Sequence, residues 1–148
     1  MSVTFAVEGT SESATKLRVS ARGFSFVIDE PPSLGGTDEG PNPVEFILAG
    51  LAGCINIVVH MVAQERGVEI RGVSVRVEGD LDPARLMAQP TENRAGFAGI
   101  RLVAEVDSPA ERAEIEEILR IAETRCPVAD NLGAPTPVVL RLAEPAVV

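Results

Sequence analysis

The sequence predicts a single α+β domain spanning residues 1–148. Three observations predict it. Short runs of alternating apolar and polar residues fill the first third of the chain, as in an antiparallel meander. A long, almost wholly apolar segment follows a strong helix-start signal. After it, two more alternating runs precede two helical patterns, so strands and helices are segregated.

The elements follow in order. Val3–Val7 alternates like an edge strand, and Gly9-Thr10-Ser11 reads as a turn. Lys16–Ala21 and Phe24–Ile28 read as strands, with Gly23 as a kink or bulge between them. Pro31–Pro43 is a loop of 13 residues rich in Pro and Gly, a length that points to function or to an interface. Asn42-Pro43-Val44-Glu45 then starts a helix: Asn42 can cap it, Pro43 suits its first position and Glu45 can close a capping box. That helix should run to Arg66 and stop at Gly67. Between Phe46 and Val62 it has hardly any polar face, and a helix apolar all round is buried all round. One sheet of this chain covers only one side of it, so the other side needs another helix or a second subunit.

Glu69–Glu78 and Ile100–Val106 read as strands, separated by a loop over Gly79–Gly96. Ser108-Pro109-Ala110-Glu111 repeats the helix-start logic, with a cap, a proline in the first turn and a glutamate at the third position. The helix over Glu111–Thr124 would bury Ala113, Ile115, Ile118, Leu119 and Ala122. Pro127 ends it, because the residue before a proline disfavours helical geometry. Pro127–Leu132 reads as a short further helix and Thr136–Leu142 as a last strand.

Composition narrows the function. Thirteen basic and 22 acidic side chains give a net charge of −9, which argues against nucleic acid as a partner. Aromatic residues make up only 3%, with no Trp and no Tyr, so stacking platforms for single strands are also missing. Met1–Glu8 has neither a positive leader nor a long apolar run, so no secretory signal is expected. The most apolar stretch, Phe46–Val59, has 14 residues, short of the ~20 that span a bilayer, so a membrane is not expected either. Two cysteines are too few for a disulfide framework, and a reducing, cytoplasmic location follows as the expectation.

Few residues can carry chemistry. Cys54 lies mid-way along the apolar helix beside Gly50, Ala52 and Gly53, where another backbone or a substrate can come close. It reads equally well as a small buried hydrophobe. Cys126 precedes Pro127 at the N-cap of a short helix and follows Arg125. The helix dipole and free N–H donors there favour thiolate, against the plainer reading of a structural cysteine at a helix break. His60, the sole histidine, falls about 120° around the helix from Cys54 and is expected to be packed or interfacial. One His and two scattered Cys give no recognisable zinc spacing, so no metal is expected. No cofactor is expected either, because no Gly-rich phosphate loop follows a strand. A serine nucleophile elbow is also missing.

Several of these segments together resemble the OsmC/Ohr family. They are Gly40-Pro41-Asn42-Pro43-Val44-Glu45, Leu51-Ala52-Gly53-Cys54 and Cys126-Pro127-Val128. Asp29-Glu30-Pro31, Gly35-Gly36 and Arg94-Ala95-Gly96-Phe97 support them, so the resemblance runs from about Lys16 to Leu142. It implies antiparallel sheets packed on long central helices in an intertwined homodimer. It also implies a thiol-dependent peroxidase of the oxidative stress response. Cys54 would attack a hydroperoxide and become a sulfenic acid, Cys126 would condense with it, and an external dithiol would reset the pair. The family's well-described peroxidases add a glutamate ten residues before the first cysteine and an arginine from the N-terminal strands. Here Val44 stands at the glutamate's position, with Glu45 beside it, and Arg22 or Arg18 would supply the arginine. That departure places the chain nearer the less characterised OsmC-like branch. It also leaves open a non-catalytic protein that binds a hydrophobic small molecule at the dimer interface.

Overall fold

The computed structural model describes residues 2–143. In chain order the elements are β1 (Glu8–Ser11), β2 (Leu17–Ala21), β3 (Phe24–Ile28), a 3-10 turn (Pro32–Leu34), α1 (Pro43–Glu65), β4 (Gly72–Asp80), β5 (Gly99–Asp107), α2 (Arg112–Arg125) and α3 (Pro127–Gly133). This is the predicted α+β order without its last strand. The chain divides into two units, residues 2–52 with 75–103 and residues 53–74 with 104–143. The helix α1 and the strands β4 and β5 run through both.

The first unit holds the antiparallel sheet β1-β2-β3. Glu8 to Ser11 pair with Ser20 to Leu17, so β1 occupies the place where a turn was expected. Gly9 belongs in that strand: a Cβ there would meet the Leu17 side chain at 2.8 Å. Val3–Val7, expected to be the strand, forms none, and Val3, Phe5 and Val7 are exposed. Alternation marks a chain able to form a strand, but a strand also needs a neighbour to bond to. Ala21 pairs with Phe24, which makes Arg22-Gly23 the tight turn of the β2–β3 hairpin rather than a bulge. Arg22 takes the left-handed conformation, at φ 56°.

The loop into α1 is closed by one buried carboxylate. Asp29 accepts the N–H of Glu30 at 2.8 Å and those of Thr37 and Glu39 at 3.1 and 3.2 Å, and the Thr37 hydroxyl donates to it at 2.7 Å. Its own N–H donates to the carbonyl of Pro41 at 3.3 Å. These donors, led by the Thr37 hydroxyl, lower the Asp29 carboxyl from 3.8 to about 2 despite burial. Gly36 and Gly40 permit the tight path: a Cβ would lie 1.6 Å from the Glu30 carbonyl oxygen at the first and 2.2 Å from that of Val27 at the second. Phe26 and Phe46 pack with ring centroids 5.2 Å apart, setting β3 against the first turn of α1.

The helix α1 starts on the predicted capping box. The Glu45 N–H donates to the Asn42 side chain at 2.9 Å, and the Glu45 carboxylate accepts the Asn42 N–H at 2.8 Å. It ends at Glu65, and Gly67 follows at φ 69°. The helix has 23 residues and is long and apolar enough to cross a membrane by length and composition, which the 14-residue estimate did not foresee. One face is buried, including Leu51, Ile55, Val58, Val59, Val62 and Ala63. Ile47, Ile57 and Met61 are exposed, and nothing lies near a Cβ built on Gly50 or Gly53. Within the chain, therefore, α1 is covered on one side only.

β4 and β5 form the second sheet. The Arg71 N–H donates to the Asp107 carbonyl at 2.8 Å near one end and the Ala98 N–H to the Asp80 carbonyl at 2.7 Å near the other, as antiparallel strands require. The second unit buries Ile118 and Ala122 of α2 completely, but Ala113 is exposed. α2 begins at Arg112, one residue later than expected, with Glu111 at its N-cap; the Ser108 hydroxyl donates to the Glu69 carbonyl at 2.6 Å and accepts the Ala110 N–H at 3.1 Å in the turn before it. Thr136–Leu142 forms no strand, and Val138, Leu140 and Leu142 are more than nine-tenths exposed. As at Val3–Val7, no neighbouring strand within the described residues takes up its hydrogen bonds.

Candidate functional site

The second unit brings together the two cysteines, 72 positions apart in sequence. Cys54 is carried by α1 and Cys126 by the joint between α2 and α3. Pro127 creates that joint. It disfavours helical geometry at Cys126, which stands at φ −77°, ψ 111°, and it opens α3 at the first helical position. Cys126 thus closes one helix and caps the next. Its N–H donates to the Glu123 carbonyl at 3.4 Å, and its sulfur accepts the Ala129 N–H at 3.3 Å. The cap read from sequence is the cap observed.

The two sulfurs lie in close contact, 2.7 Å apart, and both thiols are free. Cys126 is only 1% exposed, whereas Cys54 is half-buried. Of the two, Cys54 is the one a solute can reach. Burial, then the Cys126 thiol beside it, push the Cys54 thiol up from its ordinary value, and the Val128 N–H at the start of α3 acts the other way. A thiol so placed is mostly protonated at neutral pH. It sits next to a second sulfur already positioned to react with it.

The charged residues nominated by resemblance belong to the first unit. The Glu45 carboxylate is taken up by the α1 capping box. The Arg22 guanidinium lies 5.2 Å from the ring centroid of Phe24, a cation–π contact at the hairpin turn. Arg18 is ion-paired with Glu12 at 2.5 Å. His60 is exposed on α1. Among the described residues no group of three or more His, Cys, Asp or Glu side chains converges to hold a metal. Sequence reasoning missed the depth of Asp29. A lone Asp before Glu-Pro carries no signal of burial. Only the glycines at 36 and 40, which let the loop fold over it, hinted at so tight a turn.

A paired-thiol site midway along a long apolar helix, in an α+β chain with separate antiparallel sheets, defines a class of small thiol proteins. The OsmC-like protein family model matches residues 36–141, and the chain belongs to that family. It is 25% identical over 109 residues to the hydroperoxide reductase of Mycoplasma genitalium, covering 74% of this chain and 72% of that protein. Its fold is similar to that of an OsmC-like protein from Mycoplasma pneumoniae, with a TM-score of 0.78 and 23% identity over 90% of this chain and 89% of the other. An organic hydroperoxide resistance protein OsmC from Legionella pneumophila matches with a TM-score of 0.65 and 22% identity over 88% of this chain and 89% of that one.

Proposed function

We propose that this chain is a thiol-dependent peroxidase that reduces hydroperoxides through Cys54 and Cys126. The observation that carries the reading is the 2.7 Å sulfur separation between a reachable and a buried thiol. The Cys54 thiolate attacks the terminal oxygen of a hydroperoxide. The S–O bond forms as the O–O bond breaks, and the alkoxide leaves as the alcohol after taking a proton. The Cys126 thiolate then attacks the Cys54 sulfur, forming the disulfide and expelling hydroxide, which leaves as water. An external dithiol returns both thiols. A cytoplasmic, reducing location suits that last step. Glu45 and Arg22 are occupied at the helix cap and the hairpin turn, so the two sulfurs carry the chemistry in this reading.

The test is to mix reduced protein with cumene hydroperoxide and count free thiols. Both should be lost in the wild type, and the one remaining thiol of Cys54→Ser, that of Cys126, should survive. Because burial raises the Cys54 thiol, the rate should climb as pH rises through the ordinary thiol range. Survival of both wild-type thiols overturns the reading.

We further propose that the working form is a homodimer. Support comes from three sets of exposed apolar side chains: Val3, Phe5 and Val7; Ile47, Ile57 and Met61 on α1; and Val138, Leu140 and Leu142. A second functional reading is favoured by one observation: among the described residues no ion pair or hydrogen bond brings a cation to the Cys54 sulfur. In that reading the dimer holds a hydrophobic small molecule beside Cys54 without turnover. Native mass spectrometry of protein purified from cells would carry the mass of such a ligand, and an empty protein rejects it.

A further inference from the structure

We propose that Glu65 and Arg125 are positioning residues for the Cys54–Cys126 pair, an inference that rests on the thiol chemistry proposed above. Arg125 immediately precedes Cys126, and its guanidinium meets the Glu65 carboxylate with two bonds, at 2.6 and 2.9 Å. Glu65 is the last residue of α1. At ~100° and ~1.5 Å per residue it lies within about 20° of Cys54 around that helix and about 16 Å further along it. Two consecutive residues of the α2–α3 joint are thus fastened to one face of α1 at two points three turns apart, one by sulfur and one by charge.

The rest of the last turn of α2 offers no alternative fastening. Ile118 and Ala122 are fully buried, but Glu123, Thr124 and Arg125 are exposed. The next buried side chain is Cys126 itself. If Arg125 were released, the last turn would be held only from Ala122 backwards, and the joint could rotate the Cys126 sulfur off its line to Cys54. A reciprocal pair, Arg66 to Glu114 at 2.6 Å, ties the first turn of α2 to the end of α1. Opposite charges at the two ends of α2 meet opposite charges at Glu65, the last residue of α1, and at Arg66, the residue after it, which fixes the direction in which α2 crosses.

The experiment equilibrates the full-length protein with reduced and oxidised glutathione and measures the fraction carrying the Cys54–Cys126 disulfide. The two protein thiols give up two protons and two electrons, and oxidised glutathione leaves as two molecules of the reduced form. No peroxide chemistry is involved. The equilibrium gives the effective concentration of one thiol at the other. Glu65→Gln should lower it about two- to five-fold, the range expected of one half-exposed ion pair. The charge swap, Glu65→Arg with Arg125→Glu, should restore it. Salt near ~1 M, where screening reaches down to ~3 Å, should bring the wild type to the Glu65→Gln value and leave that variant unchanged. Arg120→Gln breaks the comparable pair with Glu117 on the same helix and serves as the control for lost surface charge.

An equilibrium equal to the wild type's in Glu65→Gln overturns the positioning role, and the peroxidase reading then stands or falls on the cumene hydroperoxide assay alone. A wild type inert to hydroperoxide, yet forming a disulfide that Glu65→Gln weakens, overturns the peroxidase reading and supports the fastening. A wild type that forms no disulfide at all overturns both.

Discussion

Asp29 keeps a negative charge where solvent does not reach, and four donors hold it there. Because its folded carboxyl titrates at about 2, below its value of 3.8 without those partners, its contribution to stability is fully present above about pH 4. The contribution is lost as pH falls from there towards about 2. Denaturant melts across that window should show a steeper loss of stability in the wild type than in Asp29→Asn, and equal slopes would remove Asp29 from the account. At the same scale, the two cysteines were legible because each sat in a telling context. A proline after Cys126 marks a cap, and the glycines before Cys54 leave that stretch of α1 bare, although nothing in the structure approaches them. Their meeting was not legible from spacing, since 72 residues separate them and only the fold closes that distance. The burial of Asp29 was hidden for a similar reason, as three of its four donors are backbone N–H groups that carry no residue signature and the fourth, the Thr37 hydroxyl, lies eight positions away.

At the scale of elements, what could be read was what local chemistry decides. The start of α1 is set within four residues by Asn42 and Glu45, and the structure places it there. Asn42→Ala should cost about 1 kcal/mol in thermal or denaturant melts, as a lost cap usually does. The loop before it is less forgiving. Gly36→Ala would set a methyl group 1.6 Å from a backbone oxygen that the Asp38 N–H also uses, so a loss of about 3 kcal/mol is expected, at the upper end of ordinary single substitutions. Strands were read less well, and for a physical reason. Val3–Val7 and Thr136–Leu142 have better strand patterns than Glu8–Ser11, yet of the three only Glu8–Ser11 has a partner among the described residues. α2 starts at Arg112, one residue later than expected, with Glu111 at its N-cap, while the Ser108 hydroxyl accepts the Ala110 N–H and donates to the Glu69 carbonyl in the turn before it.

At the scale of the molecule, the segments misread as strands and the uncovered face of α1 are one observation. The chain exposes apolar residues at both ends of its described length and along one face of its longest helix. The proposed homodimer would cover them, and light scattering should then give twice the 15.6 kDa of one chain. Phe5→Asp with Leu140→Asp should shift that mass to a single chain, and a monomeric wild type would reject the assembly. The uncovered face of α1 has one more consequence. If folding is completed only by a second copy, stability belongs to an encounter rather than to a molecule. Each tenfold dilution would then withdraw about 1.4 kcal/mol from the assembled state, and the melting temperature would become a measure of how much protein is in the tube.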